Sequence, residues 1–349
     1  MDIADFRGYK ASVRRKRLAA GALLVVAALL MALAWYLSGS SLSPEEEKLY
    51  ARVTRAHQSI TAFKKELGIT TPKADDPHAT GLIGLEWSPL TTTIGAPAAK
   101  RTAADARWAV ITSRWLDTLG VKRGDSVVVL SSSSFPGMIL NVLTALEARG
   151  VKVTMLLSLG SSTYGANDPR ATWPDIAARL RKEGLLHTAA TYYSYGGDED
   201  NGGGISGEGL QMMRDAAARY GVPLVPKKNL REMVAWKMSL IKKIDPKAVI
   251  SIGGSHSSMG DDDAVLKLEP GLHLKPSPYA GDGLIGASLN AGYPVIHLLN
   301  MKELCAQNHV PFDAAPSALL YGGRSALFSL AGLFIFFAAL FCYPRWKMI

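Results

Sequence analysis

The chain has 349 residues, 39 basic and 30 acidic, for a formal charge of +9. Residues 1–42 carry six basic and two acidic side chains and residues 321–349 three basic and none acidic, so only +2 remains for 43–320. A nearly neutral central region excludes a general nucleic-acid footprint, and two cysteines, Cys305 and Cys342, exclude a disulfide framework.

In chain order, a basic N-terminus (1–17) ending in Arg14-Arg15-Lys16-Arg17 precedes Leu18–Leu37, twenty residues without a charge. Helices rise about 1.5 Å per residue, so this run predicts a transmembrane helix. A cleaved signal peptide is the alternative, since Ala32-Leu33-Ala34 fits a cleavage site. Ser325–Tyr343 is a second uncharged run, with a basic tail at 344–349. Positive residues favour the cytoplasmic side. The expectation is two spans in a bacterial cytoplasmic membrane, both termini cytoplasmic and the main domain outside.

Ser43-Pro44-Glu45-Glu46 has capping-box spacing and opens a helix to about Leu67. Its apolar positions are sparse, so 43–80 reads as a stalk or docked helix with a polar linker. The domain proper is expected over 81–312, with a tether at 313–324. Gly81–Pro97 carries Glu86, Ser88, Thr91, Thr92 and Thr93. These hydroxyls fit either ordinary β-propensity or a loop that lines a site. Ala98–Leu119 reads as one helix.

An alternation follows. Strands are expected at Val127–Leu130, Val151–Leu157, Thr188–Tyr193, Ala248–Ile252 and Pro294–Leu298, with a possible edge piece at Pro223–Val225. Helices are expected at Phe135–Arg149, Pro174–Glu183, Gly207–Tyr220, Leu230–Ile244, Gly283–Ala291 and Met301–Asn308. Alternating strands and helices predict an α/β fold with a mostly parallel, doubly wound sheet.

Polar residues collect after the strands: Ser131–Ser134, Ser158–Asp168, Ser194–Gly204 and Ser251–Asp263. In a parallel sheet these four loops share the carboxyl edge, where ligands bind. Ser131, Ser132, Ser133 and Ser134 precede a helix start, which suits an anion or simple capping. Ser161, Ser162, Thr91, Thr92, Glu86, Ser257 and Asp261 are the other binding candidates. His256 with Ser255 is the candidate catalytic pair, although a loop histidine is as readily structural. Asp198-Glu199-Asp200-Asn201 offers oxygen ligands but not in EF-hand order. No motif implies a cofactor or a resident metal.

The segments GLIGLEWSPLTTTIG (81–95), SSSSFPGM (131–138), SLGSSTYGAND (158–168) and GGSHSSMGDD (253–262), set between two apolar runs, resemble the poly-gamma-glutamate system proteins of bacteria. The resemblance spans nearly the whole chain. It implies a membrane accessory protein of poly-γ-glutamate synthesis or export, working with synthase or export subunits on an anionic polymer. It assigns no residue a role. Two other readings stand beside it. One is an envelope hydrolase or transferase acting on γ-glutamyl bonds. The other is a small-anion or sugar-phosphate site, because Asp125–Leu157 also looks like part of a SIS domain.

Overall fold

The computed structural model describes residues 3–37, 42–315 and 333–338. Ser43–Ala318 is one compact unit, and the N-terminal helix α1 (Ile3–Leu37) belongs to another. Within the residues whose side chains are described, which leave out 3–5, 17, 20 and 33–37, no helix is long and apolar enough to cross a membrane. Helix α1 runs unbroken through the basic cluster and the uncharged run. Of the second apolar run only 333–338 is described, as helix. The remainder of that run, most of the tether and the basic tail lie outside the described residues.

Helix α2 (Pro44–Glu66) begins as its sequence dictates. Ser43 Oγ accepts from Glu46 N at 3.3 Å, and Glu46 returns a bond to Ser43 N at 2.9 Å. It is not a free stalk. Leu49, Val53, Ala56 and Ile60 are buried against helices described below, so a sparse apolar stripe was enough to dock it. A short strand β1 (Thr91–Thr93) follows.

The helix expected over 98–119 is two helices, α3 (Pro97–Ala103) and α4 (Arg107–Thr118). The break has a polar cause. Asp105 accepts from Arg107 N at 2.9 Å and pairs with the Arg107 guanidinium at 2.6 Å, with both side chains buried. Such a short-range carboxylate–backbone bond competes with helix continuation.

Then come β2 (Ser126–Ser132), α5 (Pro136–Arg149), β3 (Lys152–Ser158), β4 (Ser161–Ser162), α6 (Trp173–Lys182), β5 (Tyr192–Ser194), α7 (Gly207–Tyr220), α8 (Leu230–Ile244), β6 (Ala248–Ile252), the single turn α9 (His256–Met259), β7 (Gly271–His273), α10 (Leu284–Asn290), β8 (Val295–Leu298) and α11 (Met301–Asn308). Six strands form a sheet in the order β5-β3-β2-β6-β8-β7. All pairings are parallel except the edge pair β7–β8. Strands β1 and β4 form a separate parallel pair. The fold is therefore α/β with a mostly parallel sheet.

Strand β2 is at the centre, and Val127 to Leu130 are all buried. Such runs suit strands covered on both faces. On one face Val128 and Leu130 pack with Val249 and Val295 against Ile241 of α8 and Leu284, Ile285 and Leu289 of α10. Helix α2 packs against α4, α5 and α6. The strand expected over 188–193 shrinks to Tyr192–Ser194. Thr188 is drawn away because its N–H and hydroxyl both donate to Glu147 Oε1, at 2.6 and 2.7 Å. Pro223–Val225 makes only an isolated bridge, Tyr193 to Leu224. The antiparallel edge β7 and the β1–β4 pair have no counterpart among the expected strands.

Candidate functional site

Chain order along the sheet reverses between β2 and β6, whose neighbours lead away in opposite directions. Crevices at such reversals, outside the carboxyl ends of the strands, are the usual ligand positions in open α/β sheets. A cavity of about 240 Å³ lies there. The end of β2 and the loop after it supply Ser132 and Ser134, the end of β3 and its loop Ser158 and Gly160, the loop after β5 Gly197 and Asp198, and the segment after β6 Ser255 and His256, the first residue of α9. Thr92 and Thr93 of β1 close one side. All four loops thus meet in one wall-to-wall site.

The four serines divide into two roles. Strand β2 extends two residues beyond its apolar run, so Ser131 and Ser132 are strand residues and not turn residues. Ser131 Oγ donates to Ser132 O at 2.9 Å, and Ser133 Oγ donates to Ser158 O at 3.0 Å. Both are buried and hold the backbone. Ser132 and Ser134 face the cavity. Ser132 is 7% exposed, and its hydroxyl has no hydrogen-bond partner among the described residues. Ser134 Oγ accepts from Ser162 N at 2.9 Å and keeps its own proton to give.

The N–H groups of Ser134, Gly197, Gly254 and Ser255, all residues of the cavity lining, meet no acceptor among the described residues. Unpaired backbone N–H groups in the wall of a concavity are potential anion donors that need no lysine or arginine. Helix α5 begins at Pro136, two residues after Ser134 with Phe135 as its N-cap, and the positive end of its dipole lies on this side of the sheet. Gly196 lets the loops approach. Its φ is +82°, and a Cβ there would stand 3.2 Å from the Cα of Gly160.

Beneath the cavity lies a buried polar cluster that sequence reasoning did not assemble. Asp200 Oδ1 accepts from Ser158 Oγ at 2.6 Å and from Ser194 Oγ at 2.9 Å. Asp200 Oδ2 accepts from Ser257 Oγ at 2.5 Å and pairs with Lys237 Nζ. Lys237 also donates to Ser257 Oγ at 2.9 Å. Burial alone would raise the Asp200 carboxyl. The Lys237 charge and the hydroxyl donors outweigh it and hold the group below its ordinary value. The Asp198–Asn201 run is therefore no calcium loop in this arrangement, because the Asp200 carboxylate is taken by lysine and serines. No group of three or more His, Cys, Asp or Glu among the described residues is placed to hold a metal ion. The signal for Lys237 was its position. It lies at helical spacing with buried Leu230, Met233 and Ile241, where a cation requires a buried carboxylate.

Of the remaining candidates, His256 lines the cavity but both ring nitrogens are engaged. Nδ1 accepts from Glu199 N at 2.9 Å, which leaves the proton on Nε2, 2.9 Å from Asp261 Oδ1. Ser255 Oγ donates to Ser258 Oγ at 2.9 Å and not to the histidine. Ser255 and His256 form no nucleophile–base contact. Ser257 belongs to the buried cluster. Thr91 Oγ1 accepts from Ser88 N and Asn167 Nδ2, both at 2.9 Å, and is structural. Ser161 Oγ donates to backbone carbonyls. Glu86 lies at a different cavity, of about 190 Å³, with Lys64, Tyr164 and Asp168.

Ser162 meets Lys100, whose Nζ lies 2.6 Å from Ser162 Oγ and 2.5 Å from Ser134 O, over the Phe135 ring at 3.7 Å. Burial without a carboxylate partner pushes the Lys100 amine down to about 7. Such a hydroxyl–amine contact can activate a nucleophile, but Ser162 is 6% exposed and does not line the cavity.

No protein-family model, curated protein or solved structure matches the chain.

Proposed function

We propose that this protein is a membrane-anchored accessory component of bacterial poly-γ-glutamate synthesis or export, and that its α/β domain binds a carboxylate of the polymer or its building block in the crevice between β2 and β6. The segments quoted above carry the poly-γ-glutamate resemblance. The apolar runs Leu18–Leu37 and Ser325–Tyr343 are the basis for the anchor. The observation that carries ligand binding is the Ser132 hydroxyl, which has no hydrogen-bond partner among the described residues and lines a small, partly open cavity together with unpaired N–H groups. A ligand with acceptor oxygens replaces the water bonds of these groups with direct ones, each worth a net of about 0.5–1.5 kcal/mol.

The near-neutral domain is compatible with this role because the cavity lining contains no lysine or arginine. Recognition rests on dipoles and hydroxyls, not on net charge. The hydrolase reading has less support, since His256 and Ser255 are each engaged elsewhere.

The test is thermal-shift titration of the purified full-length chain with L-glutamate, γ-glutamyl oligomers and sugar phosphates. Stabilisation by the glutamyl compounds, lost in Ser132→Ala, is the expected result. Stabilisation by sugar phosphates alone favours the SIS-like reading, and the absence of any glutamyl response refutes the proposal.

A further inference from the structure

The cavity is not donor-lined throughout. Its floor and one rim have the opposite hydrogen-bonding sense. Ser158 has a single hydroxyl proton, and it goes to Asp200 Oδ1 at 2.6 Å. Ser194 Oγ, 3.0 Å from Ser158 Oγ, spends its own proton on Asp200 Oδ1 and so donates none to Ser158. Ser158 therefore presents acceptor lone pairs, fixed in that sense by the buried Asp200–Lys237 pair. Asp198 on the rim is exposed, and its carboxylate has no hydrogen-bond partner among the described residues. A bare anion in this cavity would satisfy the N–H groups and lie against an acceptor and a like charge.

We propose that the cavity takes an amino-acid-type group, an ammonium beside a carboxylate. The carboxylate accepts from Ser132 and the N–H groups of Ser134, Gly254 and Ser255, and the ammonium donates to Ser158 and Asp198. This rests on the carboxylate reading above and narrows it. Ligand pockets for drug-sized molecules run to roughly 300–1,000 Å³. A cavity of about 240 Å³ holds one small group, not a polymer threading through. Free glutamate and the amino end of a γ-glutamyl chain share the required chemistry; the interior of the chain lacks the ammonium.

Isothermal titration of the purified full-length chain separates these ligands. The probes are L-glutamate, glutarate, which keeps both carboxylates but has no amine, and a γ-glutamyl trimer with a free or an acetylated amino end. Glutamate should bind about tenfold or more tightly than glutarate, because an ammonium hydrogen-bonded to a carboxylate is among the stronger pairs. The free trimer should exceed the acetylated one similarly if the chain end is the ligand, whereas glutamate binding with both trimers excluded assigns the free amino acid. Asp198→Asn, on an exposed loop, and Ser158→Ala should each bring the glutamate-to-glutarate ratio towards one. Equal binding of glutamate and glutarate by the unaltered chain overturns this inference and leaves the carboxylate reading intact. No binding of any probe overturns both.

Discussion

Lys237 of α8 and Asp200, in the loop after β5, form an ion pair that is 3% and 0% exposed respectively. Three serine hydroxyls complete the shell around the carboxylate, and one of them, Ser158, is the cavity floor. The pair therefore ties the core of the domain to the geometry of its site. Asp200 and Glu199 both hold positive φ, +55° and +57°, a conformation that non-glycine residues adopt only when the surroundings impose it.

Removing one partner of this pair should be severe. Asp200→Asn leaves the buried Lys237 ammonium without its counter-charge, and such losses run to about 3–5 kcal/mol. Lys237→Met alone should cost a similar amount. The double variant Asp200→Asn/Lys237→Met should lose much less than the sum, because no uncompensated charge remains. Urea denaturation of all four proteins measures the coupling, and strict additivity would show that the two groups do not depend on each other.

Ser132 and Ser133 are sequence neighbours with opposite expected phenotypes. Ser133→Ala removes the bond to Ser158 O at 3.0 Å and should cost about 1 kcal/mol of stability. Ser132→Ala removes a hydroxyl with no protein partner, so stability should change by no more than about 0.5 kcal/mol while glutamate affinity falls. Denaturation midpoints paired with titration check both. A Ser132→Ala variant that binds normally would remove this serine from the site.

The strand–helix alternation made the parallel sheet readable, because buried runs such as Val127–Leu130 and Ala248–Ile252 carry their own signal. Convergence of the loops followed from the sheet. What the residue string concealed was the orientation of each side chain. SSSS reads as one polar turn, but two of its members continue β2, and the strand period sends them to opposite faces of the sheet, both buried. Asp200 and Lys237 are 37 residues apart, and only the crossover through α7 and α8 brings them together. The break before α4 was hidden for a similar reason: Asp105 and Arg107 look like ordinary helix-surface charges until they are buried.

Acid should weaken the fold through two histidines. Burial pushes His57 and His297 down to about 4, from 6.5 for the free side chain, and one ring nitrogen of each lacks a partner. Between pH 6.5 and 4 the unfolded chain binds protons that the folded chain refuses, so stability falls as pH falls. The slope is up to about 1.4 kcal/mol per pH unit for each histidine. His57→Leu should flatten the limb by about half of the histidine contribution. Denaturant midpoints from pH 7 to 4 measure it, and an unchanged slope would mean that His57 is accessible to protons in the folded state.

Lys100 acts at the alkaline side with its own sign. Its amine is pushed from 10.5 down to about 7 by burial, and that of Lys64 to about 8, again first by burial. Between pH 7 and 10.5 the unfolded lysine stays protonated while the folded one does not, so stability rises with pH across that window. Lys100→Met removes the uncompensated cation together with its bonds to Ser134 O and Ser162 Oγ. The cost of deprotonating a lysine across about 3.5 units exceeds the usual net worth of two hydrogen bonds. The variant should therefore be more stable than the parent at pH 7. Its stability should rise less between pH 7 and 8 than that of the parent, only by what Lys64 contributes as it loses its proton around 8 and by the tail of the histidine limb. A parent chain whose denaturation midpoint does not rise from pH 7 to 8 would show that the Lys100 amine keeps its proton in the fold, with the Phe135 face and the Ser134 carbonyl sufficient to hold the charge.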